Sequence, residues 1–273
     1  MKKLLSLLLL AALCLGMLAA CGGDEGGNAN GGSGDEEEDD LAYVQDKGTL
    51  IVGMTDFAPM DYKEEGSDEW IGFDADMAKE FADYLGVDVE FVEINWDNKL
   101  MELDTKAIDV IWNGMTLTEE VTEGASTSEP YCLNGQVLVV PADVADQYQD
   151  TDSLSDLNIA VESGSAGAAQ LDELGIPYVG LDTQARALME VASGASDACV
   201  IDLLMAGAMI GEGTSYPDLT YTVQLNSEEY GVAFRKGSNL VDEFETFWKQ
   251  AYDDGTVMEV ATTYGVQEAV IEK

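Results

Sequence analysis

The chain has 273 residues and is strongly acidic, with 54 Asp and Glu residues against 12 Lys and Arg residues and a formal net charge of −42. This charge repels nucleic acid and anionic membrane surfaces, so we expect neither as a partner. The sequence contains no histidine, which is the commonest metal ligand and general base, and we predict neither a metal site nor a cofactor.

The first 20 residues have the pattern of a secretory signal peptide. Lys2 and Lys3 precede an apolar run up to Ala20 that is too short to span a bilayer comfortably. The run ends in the letters LAAC, which resemble the bacterial lipobox. This resemblance implies that Cys21 is lipidated and becomes the mature N-terminus, so we expect an extracytoplasmic protein that is anchored to the bacterial membrane by its lipid.

Residues 21–40 are predicted to be a flexible, acidic tether. After Cys21 the sequence reads GGDEGGNANGGSGDEEEDD, in which no apolar residue is larger than alanine. Such a segment cannot bury enough surface to fold. The folded part therefore begins at about Leu41 and comprises roughly 230 residues, enough for two modest cores or one large core.

Strand and helix patterns alternate in the first part of the folded chain. The apolar segment TLIVGM (49–54) predicts a buried strand, and FDADMAKEFADYLG (73–86) predicts a helix that stops at Gly86. VDVEFVEI then alternates as a strand, WDNKLMEL forms a short helix, and IDVIW is the next strand. This order predicts a mostly parallel sheet. One face of the first helix carries Phe73, Met77, Phe81, Tyr84 and Leu85.

The same order restarts after a polar break at residues 141–157. LNIAVESGSAG predicts a strand, a turn and a helix start, TQARALMEVASG predicts a helix, and SDACVID predicts a strand. A further strand follows in EYGVAFRKGS (229–238), and two helices end the chain, the second near residues 256–264. The first of these two helices has an apolar stripe that we interpret as core: Leu240, Phe244, Phe247, Trp248 and Ala251.

Two cysteines, Cys132 and Cys199, belong to the folded part, and each lies in an apolar, strand-like segment. They could pair outside the cytoplasm. Because we place their segments in separate units of the fold, we expect two buried free thiols instead.

Candidate site residues follow from the rule that open α/β sheets bind ligands beyond the carboxyl ends of their strands. The positions just after strands are Thr55-Asp56-Phe57, Trp96, Asn113 to Thr118, Ser163-Gly164-Ser165 and Asp202. Their chemistry is mostly hydroxylic, amide, aromatic or acidic, and residues 108–131 contain no Lys, Arg or His. Such a set suits a small polar organic ligand held by hydrogen bonds, a stacking ring and one charge.

Seven segments occur in an order and spacing that are typical of one protein family. They are GTLIVGMTDFAPMDY, GFDADMAKEFADYLGVDVEFV, IDVIWNGMTLT, SEPY, SGSAG, SDACVID and EYGVAFRKG, and they cover nearly all of residues 45–265. The chain resembles the extracellular solute-binding proteins, family 3, of polar amino acid ABC importers.

The resemblance implies an α/β fold of the two-lobed type II periplasmic-binding-protein class. Each lobe would have a mostly parallel sheet flanked by helices, and two crossover strands near residues 135–140 and 229–234 would join the lobes. Lobe 1 would comprise residues 41–138 and 232–273, and lobe 2 residues 139–231. A ligand in the cleft would contact both lobes and stabilise the closed form.

The resemblance also assigns ligand contacts, position by position, wherever the motifs match. The residues are Asp56, Phe57, Trp96, Asn113, Gly114, Thr116, Thr118, Ser165 and Asp202. The segment from Asn113 would hold the polar head of the ligand, the helix start at Ser165 would offer N–H groups to a carboxylate, and Asp202 would pair with an α-amino group. The segment DFAPMDY departs from the usual two-proline form of the family near Phe57.

Three of these residues also have a structural interpretation. Trp96 either stacks on the ligand or anchors the helix that it opens. Thr118 either contacts the ligand or caps the turn that begins with Glu119. Asp202 either pairs with the ligand or caps its strand, and we favour pairing because a carboxylate that ends an apolar strand costs desolvation energy unless it has a partner.

One family residue is missing. Amino-acid-binding members typically have an Arg three residues after the last Thr of this segment, where it holds the α-carboxylate in two parallel hydrogen bonds, and this chain has Val121 there. The remaining candidate cations are Lys99, Arg186 and Arg235. We expect each to be a solvated or structural charge, although Lys99 lies one helical turn beyond Trp96 and could point into the cleft.

These observations predict a monomeric substrate-binding lipoprotein that captures a small polar solute, an amino acid by family, and delivers it to an ABC permease in the membrane. One alternative is a ligand-sensing receptor for a membrane signalling partner, and another is a receptor for an amine that lacks an α-carboxylate. An enzyme would have to use Glu162 or Asp56 with Ser165, and no base is identifiable beside a nucleophile. We therefore predict no enzymatic activity.

Overall fold

The computed structural model describes residues 39–272, which belong to one compact unit of the chain. The predicted signal peptide, the lipidation site at Cys21 and residues 21–38 of the predicted tether lie outside the described residues. Within residues 39–272, no helix is both long and apolar enough to cross a membrane.

Eleven strands are present in the described part of the chain. In chain order they are β1 (Thr49–Met54), β2 (Asp88–Glu93), β3 (Val110–Thr116), β4 (Ser126–Thr127), β5 (Cys132–Asn134), β6 (Gln136–Pro141), β7 (Ile159–Glu162), β8 (Tyr178–Leu181), β9 (Ala198–Asp202), β10 (Leu219–Gln224) and β11 (Glu228–Phe234).

Nine α-helices flank these strands within residues 39–272. They are α1 (Asp40–Lys47), α2 (Phe73–Leu85), α3 (Lys99–Asp104), α4 (Glu119–Gly124), α5 (Ala166–Leu174), α6 (Gln184–Ser193), α7 (Leu203–Met209), α8 (Leu240–Asp253) and α9 (Thr256–Tyr264). A 3-10 turn at Trp96–Asn98 leads into α3, and two more, Ala145–Gln147 and Thr151–Leu154, lie in the predicted polar break.

The strands form two sheets, one in each lobe. The lobe 1 sheet has the order β2-β1-β3-β11-β4, with β5 also paired to β11, and the lobe 2 sheet has the order β10-β6-β9-β7-β8. The pairs β1–β2, β1–β3, β7–β8 and β7–β9 are parallel, as expected for strands joined through helices, whereas β6 and β11 run antiparallel to their neighbours. The chain passes into lobe 2 at Gly135, between β5 and β6, and returns between β10 and β11.

The helical periodicity of the sequence identified the core correctly. All five residues of the α8 stripe are buried, and on α2 four of the five predicted residues are buried. Tyr84 is the exception, with 39% of its surface exposed, although its ring still contacts those of Phe81 and Phe247. Burying a large apolar side chain contributes roughly 1.5–3 kcal/mol, so these helices hold the lobe 1 sheet firmly.

The fold begins slightly earlier than the end of the predicted tether. Asp39 caps α1 by accepting a hydrogen bond from the N–H of Ala42, and Asp40 is the first residue of the helix. Composition suggested that these two acids are solvated. Asp40 is instead fully buried, because the guanidinium of Arg235 donates to both of its carboxylate oxygens at 2.8–3.0 Å.

The third strand extends further than predicted. Its sequence pattern appeared to end at Trp112, but β3 continues to Thr116, where residue pairs such as Tyr230 with Thr116 join it to β11. Pairing with a distant strand overrides the polar local sequence. The residues from Asn113 to Thr116 are therefore held in a sheet and not in a loop.

Cys132 and Cys199 are both buried free thiols, as predicted. Cys132 lies in β5 of lobe 1, and Cys199 lies in β9 of lobe 2. Burial is the leading cause of the raised pKa of each thiol. Both side chains therefore stay protonated and pack as small apolar residues.

Candidate functional site

A cavity of about 240 Å3 lies between the lobes, and it brings together most of the predicted site residues. Eight of the nine line it: Phe57, Trp96, Asn113, Gly114, Thr116, Thr118, Ser165 and Asp202. The ninth, Asp56, is exposed and is not part of the lining. The side chain that follows it, Phe57, turns inward instead.

The lobes touch at the edge of this cavity. The ammonium of Lys99 in lobe 1 donates to the backbone carbonyl of Gly164 in lobe 2 at 2.9 Å and to the carbonyl of Trp96 at 3.3 Å. Lys99 is only 5% exposed, and its Nζ lies 5.3 Å from the centre of the Trp96 ring. Of the two expectations for Lys99, a solvated or a structural charge, the structure shows the structural one, because the ammonium is held between two carbonyls on the cavity wall.

On the lobe 1 wall, the side-chain amide of Asn113 is fully engaged within the protein. Its oxygen accepts from the N–H and the hydroxyl of Thr55 at 3.0 and 3.1 Å, and its nitrogen donates to the Thr55 carbonyl at 3.0 Å and to Asp61 at 2.8 Å. Asn113 therefore fixes the loop after β1, which carries Phe57. Asp61 was not among the predicted site residues, and burial raises its pKa well above the usual value.

Gly114 is a site where a side chain does not fit. Its φ is +53°, and a Cβ atom there would lie 2.3 Å from Cε1 of Phe57. Its N–H donates to the buried carboxylate of Asp74 at 2.6 Å, and the hydroxyl of Tyr131 donates to the same oxygen at 2.7 Å. Burial raises the pKa of Asp74 to about 7 despite these two donors.

Two hydroxyls at the cavity cap helices. The Thr118 oxygen accepts from the N–H of Val121 at 3.2 Å at the start of α4, and the Ser165 oxygen accepts from the N–H of Ala168 at 3.1 Å at the start of α5. The capping interpretation of Thr118 therefore holds. Each hydroxyl hydrogen is still available to donate to a ligand.

Asp202 ends β9 at the centre of a buried hydrogen-bond network. One carboxylate oxygen accepts from the side chains of Asn134, Gln136 at 2.9 Å and Tyr230 at 2.7 Å, and the other accepts from Gln184. The donors from Asn134 and Tyr230 lie in lobe 1 strands, and those from Gln136 and Gln184 lie in lobe 2. Asp202 thus connects the cavity wall to both crossovers between the lobes.

A second carboxylate shares two of these donors. Glu228, at the start of β11, accepts from Asn134 at 2.7 Å, from Gln136 at 2.8 Å and from the hydroxyl of Thr116 at 3.0 Å. Burial, followed by repulsion from Glu228, raises the pKa of Asp202 to about 7. The two amides therefore separate two acids that would otherwise repel each other in a region with little water.

Glu162 is an acid of the cavity wall that the sequence analysis named only as a candidate for enzyme chemistry. It ends β7 as Asp202 ends β9, it is 2% exposed, and its Oε1 has no hydrogen-bond partner. Burial, then the charge of Asp202, raises the pKa of Glu162 to about 8. An acid that ends an apolar strand was the available signal for it, the same signal that identified Asp202.

The aromatic and apolar side chains complete the cavity. Trp96 is 7% exposed and belongs to an apolar cluster with Leu103 and Val121, so it anchors its helix and also faces the cavity. Val121 is 1% exposed and lines the cavity, at the position where the family resemblance predicted an arginine. The lining as a whole contains four carboxylates and one ammonium: Glu119, Glu120, Glu162, Asp202 and Lys99.

Comparison with known proteins identifies the class to which this fold and cavity belong. The family model described as bacterial extracellular solute-binding proteins, family 3, matches residues 50–267. The chain belongs to this family. Membership confirms the resemblance drawn from the seven sequence segments and the two-lobed type II periplasmic-binding-protein fold.

Similar proteins of this solute-binding family bind amino acids. The chain is 31% identical over 219 residues to the arginine-binding extracellular protein ArtP of Bacillus subtilis (strain 168), covering 77% of this chain and 83% of ArtP. It is 30% identical over 268 residues to the ABC transporter glutamine-binding protein GlnH of the same strain, covering 95% of this chain and 96% of GlnH. A solved structure of a mutant ArgBP from T. maritima matches with a TM-score of 0.76 and 32% identity, covering 82% of this chain and 98% of that chain.

The family model and these relatives are described as extracellular or ABC-transporter solute-binding proteins. At the cavity, the Ser165 hydroxyl accepts a helix-capping hydrogen bond from the N–H of Ala168. Asp202 of the wall is surrounded by amide and hydroxyl donors, an arrangement that suits binding.

Proposed function

We propose that this chain is the substrate-binding lipoprotein of an ABC importer, and that it captures a small polar solute, an amino acid, in the cavity between its lobes for delivery to a membrane permease. The observation that carries the proposal is the convergence of eight residues, assigned from sequence motifs alone, on one cavity walled by both lobes. The amino-acid-binding relatives give the solute class.

The residues of the cavity suit the parts of an amino acid. We assign the α-amino group to Asp202, and its position as a buried acid on the wall supports this assignment. The hydroxyls of Thr118 and Ser165 can donate to a carboxylate, and the ammonium of Lys99 uses two of its three hydrogens on backbone carbonyls, so the third can do the same. Phe57 and Trp96 supply aromatic surface for the side chain.

A second candidate, an amine without an α-carboxylate, is favoured by Val121. Without an arginine at this position, the lining lacks the residue that holds a carboxylate in two parallel hydrogen bonds. The same lining contains four acidic side chains, whose oxygens can accept hydrogen bonds from an amine.

A thermal-shift screen of the purified full chain tests the proposed function. Free amino acids are compared with their decarboxylated amines at saturating concentration. A ligand that binds only the folded state adds about 2.7 kcal/mol at 100 times its dissociation constant, which corresponds to roughly 5–10 °C for a chain of this size. The amino-acid proposal expects shifts with one or a few amino acids and smaller shifts with the matching amines.

If only amines raise the melting temperature, the ligand is an amine without an α-carboxylate and not an amino acid. A flat response to the whole panel would count against a solute-binding role.

For the lipid anchor, labelled fatty acid should be incorporated into the chain in a bacterial host, and a Cys21→Ala variant should lose the label.

Gly164→Ala is expected to weaken ligand binding by about 10-fold or more, because closure of the lobes brings position 164 against Asp97. A Cβ atom at this position would lie 2.6 Å from Cα of Asp97, a backbone atom of lobe 1. The new methyl group therefore obstructs the closed form. Isothermal titration calorimetry with arginine measures the loss.

Gly175→Ala is the matched control. Gly175 also has a left-handed backbone, with φ of +68° against +71° for Gly164, but nothing lies within 4 Å of its added Cβ. Both variants carry the same backbone strain of roughly 1–2 kcal/mol. If both lose affinity equally, strain and not obstruction of closure is the cause.

A further inference from the structure

Glu162 differs from the other buried carboxylate of the cavity wall in what its oxygens contact. Both oxygens of Asp202 accept hydrogen bonds from protein side chains. Oε1 of Glu162 has no partner, although the residue is 2% exposed and lines the cavity. Burying a carboxylate oxygen without a hydrogen-bond donor costs free energy. A donor supplied by a ligand would remove this cost.

None of the protein groups around Glu162 donates a hydrogen bond to its Oε1. Burial and then Asp202 raise its pKa to about 8, and Thr55, Lys99 and Gln184 lower it, in that order. Lys99 is the cation among them, but its ammonium donates to the carbonyls of Gly164 and Trp96. Burial therefore favours the protonated form of Glu162 at neutral pH, and a positive ligand group placed against it favours the ionised form.

The rest of the lining favours a positive ligand group as well. Four acidic side chains and one ammonium line the cavity. Phe57 and Trp96 add two aromatic rings, whose faces attract cations. Val121 is an uncharged residue of the lining, whereas an arginine at this position would repel a cationic ligand.

We propose that Glu162 determines the specificity of this site, and that its carboxylate pairs with an ammonium or guanidinium group of the ligand. The ligand is then a small organic cation. This inference rests on the proposed function, because it names the solute class that the same cavity accepts. The contact is a charge-assisted hydrogen bond to Oε1, the oxygen that the protein leaves unpaired.

Arginine and citrulline test the pairing directly, because they differ in carrying a charged guanidinium or a neutral ureido group at the same position. Isothermal titration calorimetry on the purified full chain is expected to give roughly 10- to 100-fold tighter binding of arginine. In Glu162→Gln this preference is expected to fall below about 3-fold, because glutamine keeps the shape of the side chain and removes its charge. The exposed Glu173→Gln should retain the full preference.

Agmatine is the amine that corresponds to arginine without its carboxylate. Comparing the two shows whether the cationic ligand is an amino acid or an amine. Stronger binding of arginine than of agmatine assigns an amino acid, and equal or stronger binding of agmatine assigns an amine. Both results support the pairing with Glu162, provided that Glu162→Gln weakens the cation concerned.

The pH dependence provides a readout that a purely structural Glu162 would not change. Since burial keeps Glu162 protonated below about pH 8 and a bound cation ionises it, binding releases a proton and affinity for arginine rises between pH 6 and 8. Calorimetry in two buffers of different ionisation enthalpy counts the released protons. Glu162→Gln is expected to release fewer, with Asp202 as the remaining titrating acid of the wall.

Equal binding of arginine and citrulline by the wild-type chain, or an unchanged preference in Glu162→Gln, would overturn this inference. Binding of a neutral amino acid such as glutamine with arginine silent would also overturn it, while the proposed function would stand. If neither amino acids nor amines bind the wild-type chain, the proposed function fails and the inference fails with it.

Discussion

Asp202→Asn is expected to weaken the binding of arginine by roughly 100-fold, because a buried carboxylate placed for the ligand's α-amino group loses its charge. Asp202 is 3% exposed and faces the cavity. Titration calorimetry at pH 8 compares the variant with the wild-type chain. At this pH the wild-type carboxylate is ionised, because burial and Glu228 raise its pKa to about 7 and no further.

The same variant tests whether Asp202 also holds the crossovers together. Three amide side chains and the Tyr230 hydroxyl donate to its oxygens, and the NH2 group of an asparagine would face donors instead of accepting from them. Each donor left unpaired in a buried site costs about 1–3 kcal/mol. We therefore expect a lower melting temperature without ligand, in addition to the loss of affinity.

Tyr230→Phe separates the two effects. It removes one donor, whose distance to Asp202 is 2.7 Å, and leaves the carboxylate in place. Its affinity for arginine should fall by less than about 10-fold. If Asp202→Asn keeps an affinity within about 3-fold of wild type while its melting temperature drops, Asp202 is a structural centre of the crossovers and does not pair with the ligand.

The regular elements were predictable because the spacing of apolar residues reports which face is buried. The stripe on α8 and most of the stripe on α2 are buried, and their sequence patterns alone locate the lobe 1 core. The limits of β3 were not predictable in the same way. Its last residues are polar, and they are extended because β11, more than 100 residues later in the sequence, pairs with them.

The cavity was predictable to the extent that strand ends gather at one edge of a sheet. This rule located Asn113, Ser165 and Asp202 without any knowledge of their contacts. It could not show that the amide of Asn113 is fully bonded to Thr55 and Asp61, since those bonds depend on how two loops pack. The hydrogen-bond partners of a single polar side chain produce no repeating pattern in the sequence from which they could be predicted.

The position of Lys99 shows why contacts between lobes are harder still to predict. Its ammonium bonds to Gly164, which lies 65 residues away in the other lobe. A lysine on a short helix has the same sequence pattern whether it points into water or across a cleft. The orientation of the Lys99 side chain depends on the position of Gly164 in the other lobe, so it is known only from the structure.

Arg235→Ala is expected to cost about 3–5 kcal/mol of the free energy of unfolding, because it leaves a buried carboxylate without its partner. Arg235 and Asp40 have side chains that are 2% and 0% exposed, and three hydrogen bonds of 2.8–3.0 Å join them. The guanidinium also donates to the carbonyl of Ile108 at 2.8 Å and contacts Asp109 at 3.4 Å. It therefore ties α1 to the sheet of lobe 1.

The other arginine of the sequence supplies the matched control. Arg186 pairs with Asp182 at 2.5 Å on the surface of lobe 2, where the two side chains are 61% and 72% exposed. An exposed pair of this kind contributes about 0–1 kcal/mol, so Arg186→Ala should leave stability almost unchanged. Urea titrations of both variants, monitored by tryptophan fluorescence and by circular dichroism, give the two free energies.

Replacing both partners distinguishes an unpaired charge from lost packing. In the double variant Arg235→Leu with Asp40→Leu, no buried charge is left alone at this pair, because Asp109 keeps the ammonium of Lys47 at 2.5 Å and the N–H of Ile51 at 2.8 Å. The double variant should recover more than half of the stability lost in Arg235→Ala. If it is as unstable as the single variant, the stabilisation comes from the geometry of the guanidinium contacts to α1 and the Ile108 carbonyl, and not from cancelling the charge of Asp40.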